Sequence, residues 1–304
     1  MLAGMPTPEA CLMVACAAAA VAGASAAAGA WLVRGSTAVP AAVWAVAAAV
    51  VLACEMGARA AGWLADPAAA ATVRLVAGAL SLCPVMALLG AKRPQHGVWQ
   101  FIVATLAVVL AMPAVSAALI RPGTPPDVHP LGRWFLFGLA LVGWMNFAAT
   151  RHGLAAAVVA VGQILLLREF LPLVPFAGAP AAVVDAAGCL AVGLGAALAA
   201  IQSAAAGRRR VAGGPAGHHP LAARIDPPFL ALRETLGAAW TLRIAERFDA
   251  VAAARGWPCR LRFGGIEVSA PGDAGPWQRE AARAFRALAR RFVSHGWLRR
   301  HGWN

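Results

Sequence analysis

Residues Gly207 to Pro220 read GRRRVAGGPAGHHP, and this stretch divides the chain. Upstream lie long runs of alanine, valine, leucine and glycine; downstream, apolar side chains alternate with many arginines. Three regions are predicted: a membrane-embedded part over 1–206, a flexible basic, glycine-rich linker over 207–220, and a small basic domain over 221–304. The expected fold class is an all-α polytopic membrane bundle of about seven transmembrane helices, followed by a small α+β domain of helix, hairpin and helix.

Composition agrees with that division. The 304 residues are 61% hydrophobic with a mean hydropathy of +0.68, where soluble domains stay near about 45–50% apolar. Of the net charge of +13, residues 1–206 carry +3 and residues 207–304 carry +10. Tyrosine is absent and Lys92 is the only lysine. Such usage reflects codon bias, so arginine in place of lysine says nothing here about phosphate recognition.

Seven segments are apolar enough to cross a bilayer: 10–33, 38–57, 69–90, 99–120, 134–150, 153–171 and 181–205. The first has small residues around Ser25 but no basic stretch before it, so it reads as a retained span and not a cleaved signal. An odd number of spans ending on Arg208, Arg209 and Arg210 places the N-terminus outside and the C-terminal domain in the cytosol, across a cytoplasmic membrane.

In that orientation Glu55, Glu169 and Asp185 gather toward the outer face. They form a candidate polar cluster for cation or proton entry. Arg59, four residues after Glu55, and Arg168, beside Glu169, favour the alternative of paired helix ends. On the inner side the loop GAKRPQHGVWQ, residues 90–100, offers Lys92, Arg93 and His96 to an anionic head group, with Trp99 suited to the interface. Asn146 and Gln163 are the notable polar residues deep in the spans. They sit on successive helices and are expected to bond to each other.

In the C-terminal region Asp226 and Pro227 suggest a helix start. The stripe Phe229, Leu232, Leu236, Trp240, Ile244, Phe248 and Val251 suggests one amphipathic helix to about Arg255. The run CRLRFGGIEVS over 259–269 predicts a hairpin turning at Gly264-Gly265, with Phe263 opposite Ile266, Leu261 opposite Val268 and Arg262 opposite Glu267. A second helix is expected from Pro276 to about Ser294, with Arg279, Arg283, Arg286 and Arg290 on its polar side. Beyond it, Trp297 and Trp303 bracket Arg299 and Arg300, a combination expected to rest on the membrane surface.

No P-loop, dinucleotide fingerprint, zinc-protease motif or serine elbow occurs. The six cysteines form no C-x-x-C pair and read as small buried hydrophobes. No catalytic group, cofactor or metal is expected. The sequence therefore favours a non-enzymatic membrane scaffold whose basic domain touches anionic lipid or a protein partner. Contacts would come from Lys92, Arg93, His96, Arg208, Arg209, Arg210, Arg299 and Arg300. The alternatives are a small-solute or ion transporter and an enzyme acting on a lipid head group. A basic face alone is weak evidence for nucleic acid, which is not an expected partner.

Overall fold

The computed structural model describes residues 7–90, 96–172, 180–212, 219–269 and 275–303, with the backbone alone described at 96 and 208–212. Eleven α-helices and a two-stranded sheet appear among them. The bundle comprises α1 (Pro8–Leu32), α2 (Val39–Ala60), α3 (Pro67–Leu89), α4 (His96–Leu119), α5 (Pro130–Ala148), α6 (Gly153–Leu166) and α7 (Ala181–Ala212). Helix starts follow ordinary capping chemistry. Thr7 caps α1, and Asp66 caps α3 by accepting from the amides of Ala68 and Ala69, with proline at the first helical position in both.

Six helices are long and apolar enough to cross a membrane: 8–32, 39–60, 67–89, 97–119, 130–148 and 181–207. The seventh expected span, 153–171, is shorter in the structure. Helix α6 has 14 residues, about 21 Å at 1.5 Å per residue, against a hydrocarbon core of about 30 Å. Its apolar run continues, but the chain tightens into a 3-10 turn over Arg168–Phe170. There the Arg168 guanidinium reaches back to the Leu165 carbonyl and across to Asp185.

Helices α1, α2, α3, α5, α6 and α7 form a ring, and α4 packs outside it on α3. Small residues let the ring close. A Cβ on Gly162 would stand 2.8 Å from the Gly188 carbonyl oxygen, and one on Gly193 would stand 2.6 Å from that of Ala18. Large apolar side chains point outward, including Phe101, Val108, Ile120 and Leu131. That arrangement suits a lipid surround.

The C-terminal part comprises α8 (Pro220–Leu236), α9 (Ala238–Ala254), β1 (Cys259–Arg262), β2 (Gly265–Val268), α10 (Pro276–Ala289) and α11 (His295–Arg300). Its core is aromatic: Phe229, Phe248, Phe285 and Trp297 are fully buried. The single long helix expected from Asp226 to Arg255 is two helices. His219 caps the first, with Pro220 following, and the chain breaks at Gly237, whose φ of +78° and ψ of −172° suit glycine alone. Asp226 accepts the Ile266 amide instead of capping a helix.

The hairpin register also differs from expectation. Cys259 pairs with Val268, Arg260 with Glu267, Leu261 with Ile266 and Arg262 with Gly265, so the turn is Phe263-Gly264. Every partner is displaced by two residues, which leaves the faces unchanged. Arg233 fixes this choice by donating to the Phe263 carbonyl, and Asp226 fixes it by holding the Ile266 amide. The second helix stops at Ala289 and not near Ser294, because Val293 forms a β-bridge with Ser36 of the bundle.

That bridge belongs to a wide seam between the two parts. The Ser294 amide donates to the Gly35 carbonyl at 2.7 Å, the Thr37 amide to the Phe292 carbonyl at 2.8 Å, and Trp240 Nε1 to the Leu88 carbonyl at 2.7 Å. Asn146 does not bond to Gln163. Its amide donates to the Leu236 carbonyl and accepts from the Ala239 amide, clasping the break between α8 and α9. Gln163 donates instead to the carbonyl and hydroxyl of Ser81, one turn before Pro84 inside the same helix.

Candidate functional site

Between the ring helices lies a cavity of about 520 Å3, within the range of about 300–1,000 Å3 typical of small-ligand sites. Every bundle helix except α4 contributes to its wall, and most of that wall is alanine, glycine, valine and leucine. Along α3 the lining runs from Arg74 to Leu88, about 21 Å of helix at 1.5 Å per residue. The ends of this void are built differently.

At the Arg74 end the charges are consumed by one another. Arg74 Nε donates to Glu55 Oε1 at 2.6 Å, and its terminal nitrogens donate to the two Asp185 oxygens at 2.8 and 3.2 Å. Asp185 also accepts from Arg59 at 2.9 Å and from Arg168 at 2.7 Å. Glu55 has a further contact with Arg59 at 3.3 Å, and its Oε2 atom is buried without a partner among the described residues. Glu55, Arg74 and Asp185 are each at most 5% exposed. Charges buried this deeply persist only as a paired set; removing one partner typically costs about 3–5 kcal/mol.

At the opposite end the turn between α5 and α6 carries Arg151 and His152. Thr150 stiffens it by accepting the His152 amide. His152 Nδ1 lies 3.0 Å from Gln202 Oε1, and Arg151 Nε donates to His152 Nε2 at 3.3 Å. These two contacts together assign the neutral tautomer with its proton on Nδ1. Burial first, and then the charge of Arg151, lower the His152 pKa. Glu234 of α8 accepts the Arg151 amide at 3.0 Å and two Arg233 donors at 3.0 and 2.7 Å. Glu234, Thr235 and His301 complete the wall there.

The structure brings Glu55 and Asp185 onto one guanidinium. Glu169 stays at the rim, with its side chain 56% exposed and 3.5 Å from Arg168. Lys92 and Arg93 lie outside the described residues, as does the side chain of His96. Trp99 and Gln100 make internal bonds, to the Met86 carbonyl and from Trp44 Nε1. Arg208, Arg209 and Arg210 continue α7, with side chains outside the described set. Arg299 and Arg300 are exposed, and Arg300 donates to the Arg34 carbonyl at 2.7 Å. Trp297 and Trp303 are 1% and 4% exposed, so they serve the domain core and not a membrane surface.

Sequence reasoning missed Arg74, the hub of the ion-pair cluster, and the pair Arg151–His152. Arg74 stood out only as one charge in an otherwise apolar run. Among the described residues no group of three or more His, Cys, Asp or Glu side chains is placed to hold a metal ion. Burial pushes the Cys259 thiol up to about 11, which leaves it protonated and unreactive near neutrality. No protein-family model, curated protein or solved structure matches the chain. The functional reading therefore rests on the cavity and its two ends.

Proposed function

We propose that this membrane protein is a carrier that takes a small apolar or amphipathic solute into the cavity between its helices. One observation carries the reading: an apolar void of about 520 Å3 lies between a spent ion-pair cluster and a docked C-terminal domain. A solute held there would leave by one end when the cluster opens and by the other when the domain lifts. Of the expected functions this is the transporter, not the scaffold.

The orientation proposed from sequence fits this reading. Seven passes, with α6 as a short one sheltered by its neighbours, put the N-terminus outside and the basic domain in the cytosol. Arg59, Arg74 and Arg168 are matched by Glu55, Asp185 and, at the rim, Glu169, so they do not weigh as free positive charge on the outer face.

The test is reconstitution of the full chain in liposomes with a fluorescent single-chain amphiphile. Transbilayer movement should depend on the protein and be lost in Ala196→Phe, which places a ring in the void. Absence of both binding and movement in a folded protein would overturn the carrier.

A second, compatible role concerns the domain surface. Arg279, Arg283, Arg290 and Arg291 are exposed on or just after α10 and form no salt bridge with a described acid. Such a row favours anionic lipid at the inner face. Amide exchange over 276–291 should slow in anionic nanodiscs relative to zwitterionic ones, and salt should reverse the effect. Equal exchange in both lipids would remove this role.

A further inference from the structure

The geometry points to a single-chain amphiphile with an anionic oxyacid head as the occupant of the cavity, its head on Arg151 and its tail running toward Arg74. This rests on the carrier reading and adds the chemistry of what is carried.

The two arginines on the cavity wall decide the direction. All of Arg74's donor nitrogens bond to Glu55 and Asp185, so the arginine on the wall at that end offers a head no free nitrogen. Arg59, whose Nε has no partner among the described residues, does not line the cavity. Arg151 is different. Its Nε is held by His152 at 3.3 Å and lies 3.5 Å from Glu234, while both terminal nitrogens have no hydrogen-bond partner among the described residues. Those two nitrogens form the fork that a carboxylate or phosphate takes bidentately.

Charge supports the same assignment. Glu234 is shared by the guanidiniums of Arg233, at 2.7 Å, and Arg151, at 3.5 Å, and His152 sits between Gln202 and Arg151 as the neutral tautomer. Two guanidiniums on one carboxylate leave a surplus of one positive charge, and Arg151 presents it beside an apolar void. An anion would complete it, and a cation would be repelled.

The void is long and wide enough for a hydrocarbon chain. Spreading 520 Å3 over about 21 Å of helix leaves a mean cross-section of about 25 Å2, enough for an extended chain. Midway, Gln163 and Ser81 bond to each other and the Ser81 hydroxyl to the Gly78 carbonyl. These two polar groups on the tail path are thus already occupied.

The experiment uses the full chain in neutral detergent and displacement of a fluorescent long-chain fatty acid. Palmitate and hexadecyl phosphate should each displace the probe at least ten-fold better than hexadecanol, and hexadecyltrimethylammonium should not displace it. The tighter of the two acids identifies the head as carboxylate or phosphate. Arg151→Gln should weaken acid binding at least ten-fold, to the level of the alcohol, and Arg151→Lys should restore part of it. Ala196→Phe should abolish binding of all three chains. If alcohol and acid bind the wild type alike while Ala196→Phe blocks both, the carrier stands and the anionic head is wrong. If Ala196→Phe leaves every affinity unchanged, both readings fail. The acid-against-alcohol comparison needs no variant, so a misfolded Arg151→Gln would not rescue the idea.

Discussion

The two ends of the cavity are closed by different physics. The Arg74 end joins three guanidiniums to two buried carboxylates, a set in which each charge depends on the others. The Arg151 end is a seam of mostly neutral hydrogen bonds to backbone groups, from Asn146, Trp240, Thr37 and Ser294. Bonds of that kind contribute about 0.5–1.5 kcal/mol each and part singly. The contrast makes the first end a lock that opens in one step or stays shut. The second can peel, with the domain moving as a unit.

The sharpest way to break this comparison is Arg74→Ala. It strands Glu55 and Asp185 in an apolar wall and should destabilise the protein by about 3–5 kcal/mol. Thermal unfolding in detergent would show it, and a loss under about 1 kcal/mol would mean that the cluster is not a lock. Within the cluster, Asp185→Asn should cost about 2–3 kcal/mol, because four donors from three arginines converge on that carboxylate. Glu55→Gln should cost clearly less, since only one of its oxygens is engaged. A reversed order would place the hub on Glu55.

At the seam, Gly237→Ala should cost about 1–2 kcal/mol, because a side chain is strained at φ +78° and would run into the Asn146 amide. The loss should appear as faster amide exchange in α8 and α9, with the bundle unchanged. Equal loosening of both parts would show that the domain and bundle unfold as one, against the peeling seam.

These features differ in how far the sequence disclosed them. Local pairs were readable: Arg59 one turn from Glu55, and Arg168 adjacent to Glu169. Arg74 reaches partners 19 and 111 residues away, and no local spacing encodes that. Asn146 and Gln163 were legible as polar groups needing partners, but their neighbourhood in sequence suggested each other, whereas tertiary packing gave each a different carbonyl. The hairpin misled because a two-residue displacement preserves inside and outside. The alternation of Leu261, Ile266 and Val268 fits both registers, and only Arg233 and Asp226, remote in sequence, separate them. Trp297 and Trp303 among arginines have the composition of an interfacial tail, and the same composition also builds a small aromatic core. The cavity left no local sign, since an alanine facing a void and an alanine facing a neighbour read alike.

The smallest expected effect separates the two ends by pH. His152 sits in the seam with its pKa lowered, first by burial and then by Arg151, with Gln202 and Glu234 opposing the shift. A histidine held neutral in the fold takes up a proton more readily when exposed. Above the ordinary histidine value of about 6.5 its contribution to the seam is fully present. As pH falls below that value toward the depressed folded pKa, the open state binds the proton first and the seam weakens. Protonation would also remove the lone pair that accepts from Arg151 Nε, releasing the side chain that fronts the cavity. Amide exchange near residues 146–152 and 234–241 should therefore quicken between about pH 6.5 and 5. Exchange beside Arg74 should hold steady over that window if the ion pairs of Glu55 and Asp185 with Arg74 stay closed. His152→Gln should flatten the seam's response. If exchange at the Arg74 end rises in step, or the variant responds like the wild type, the proton acts elsewhere and the difference between the two ends is not one of titration.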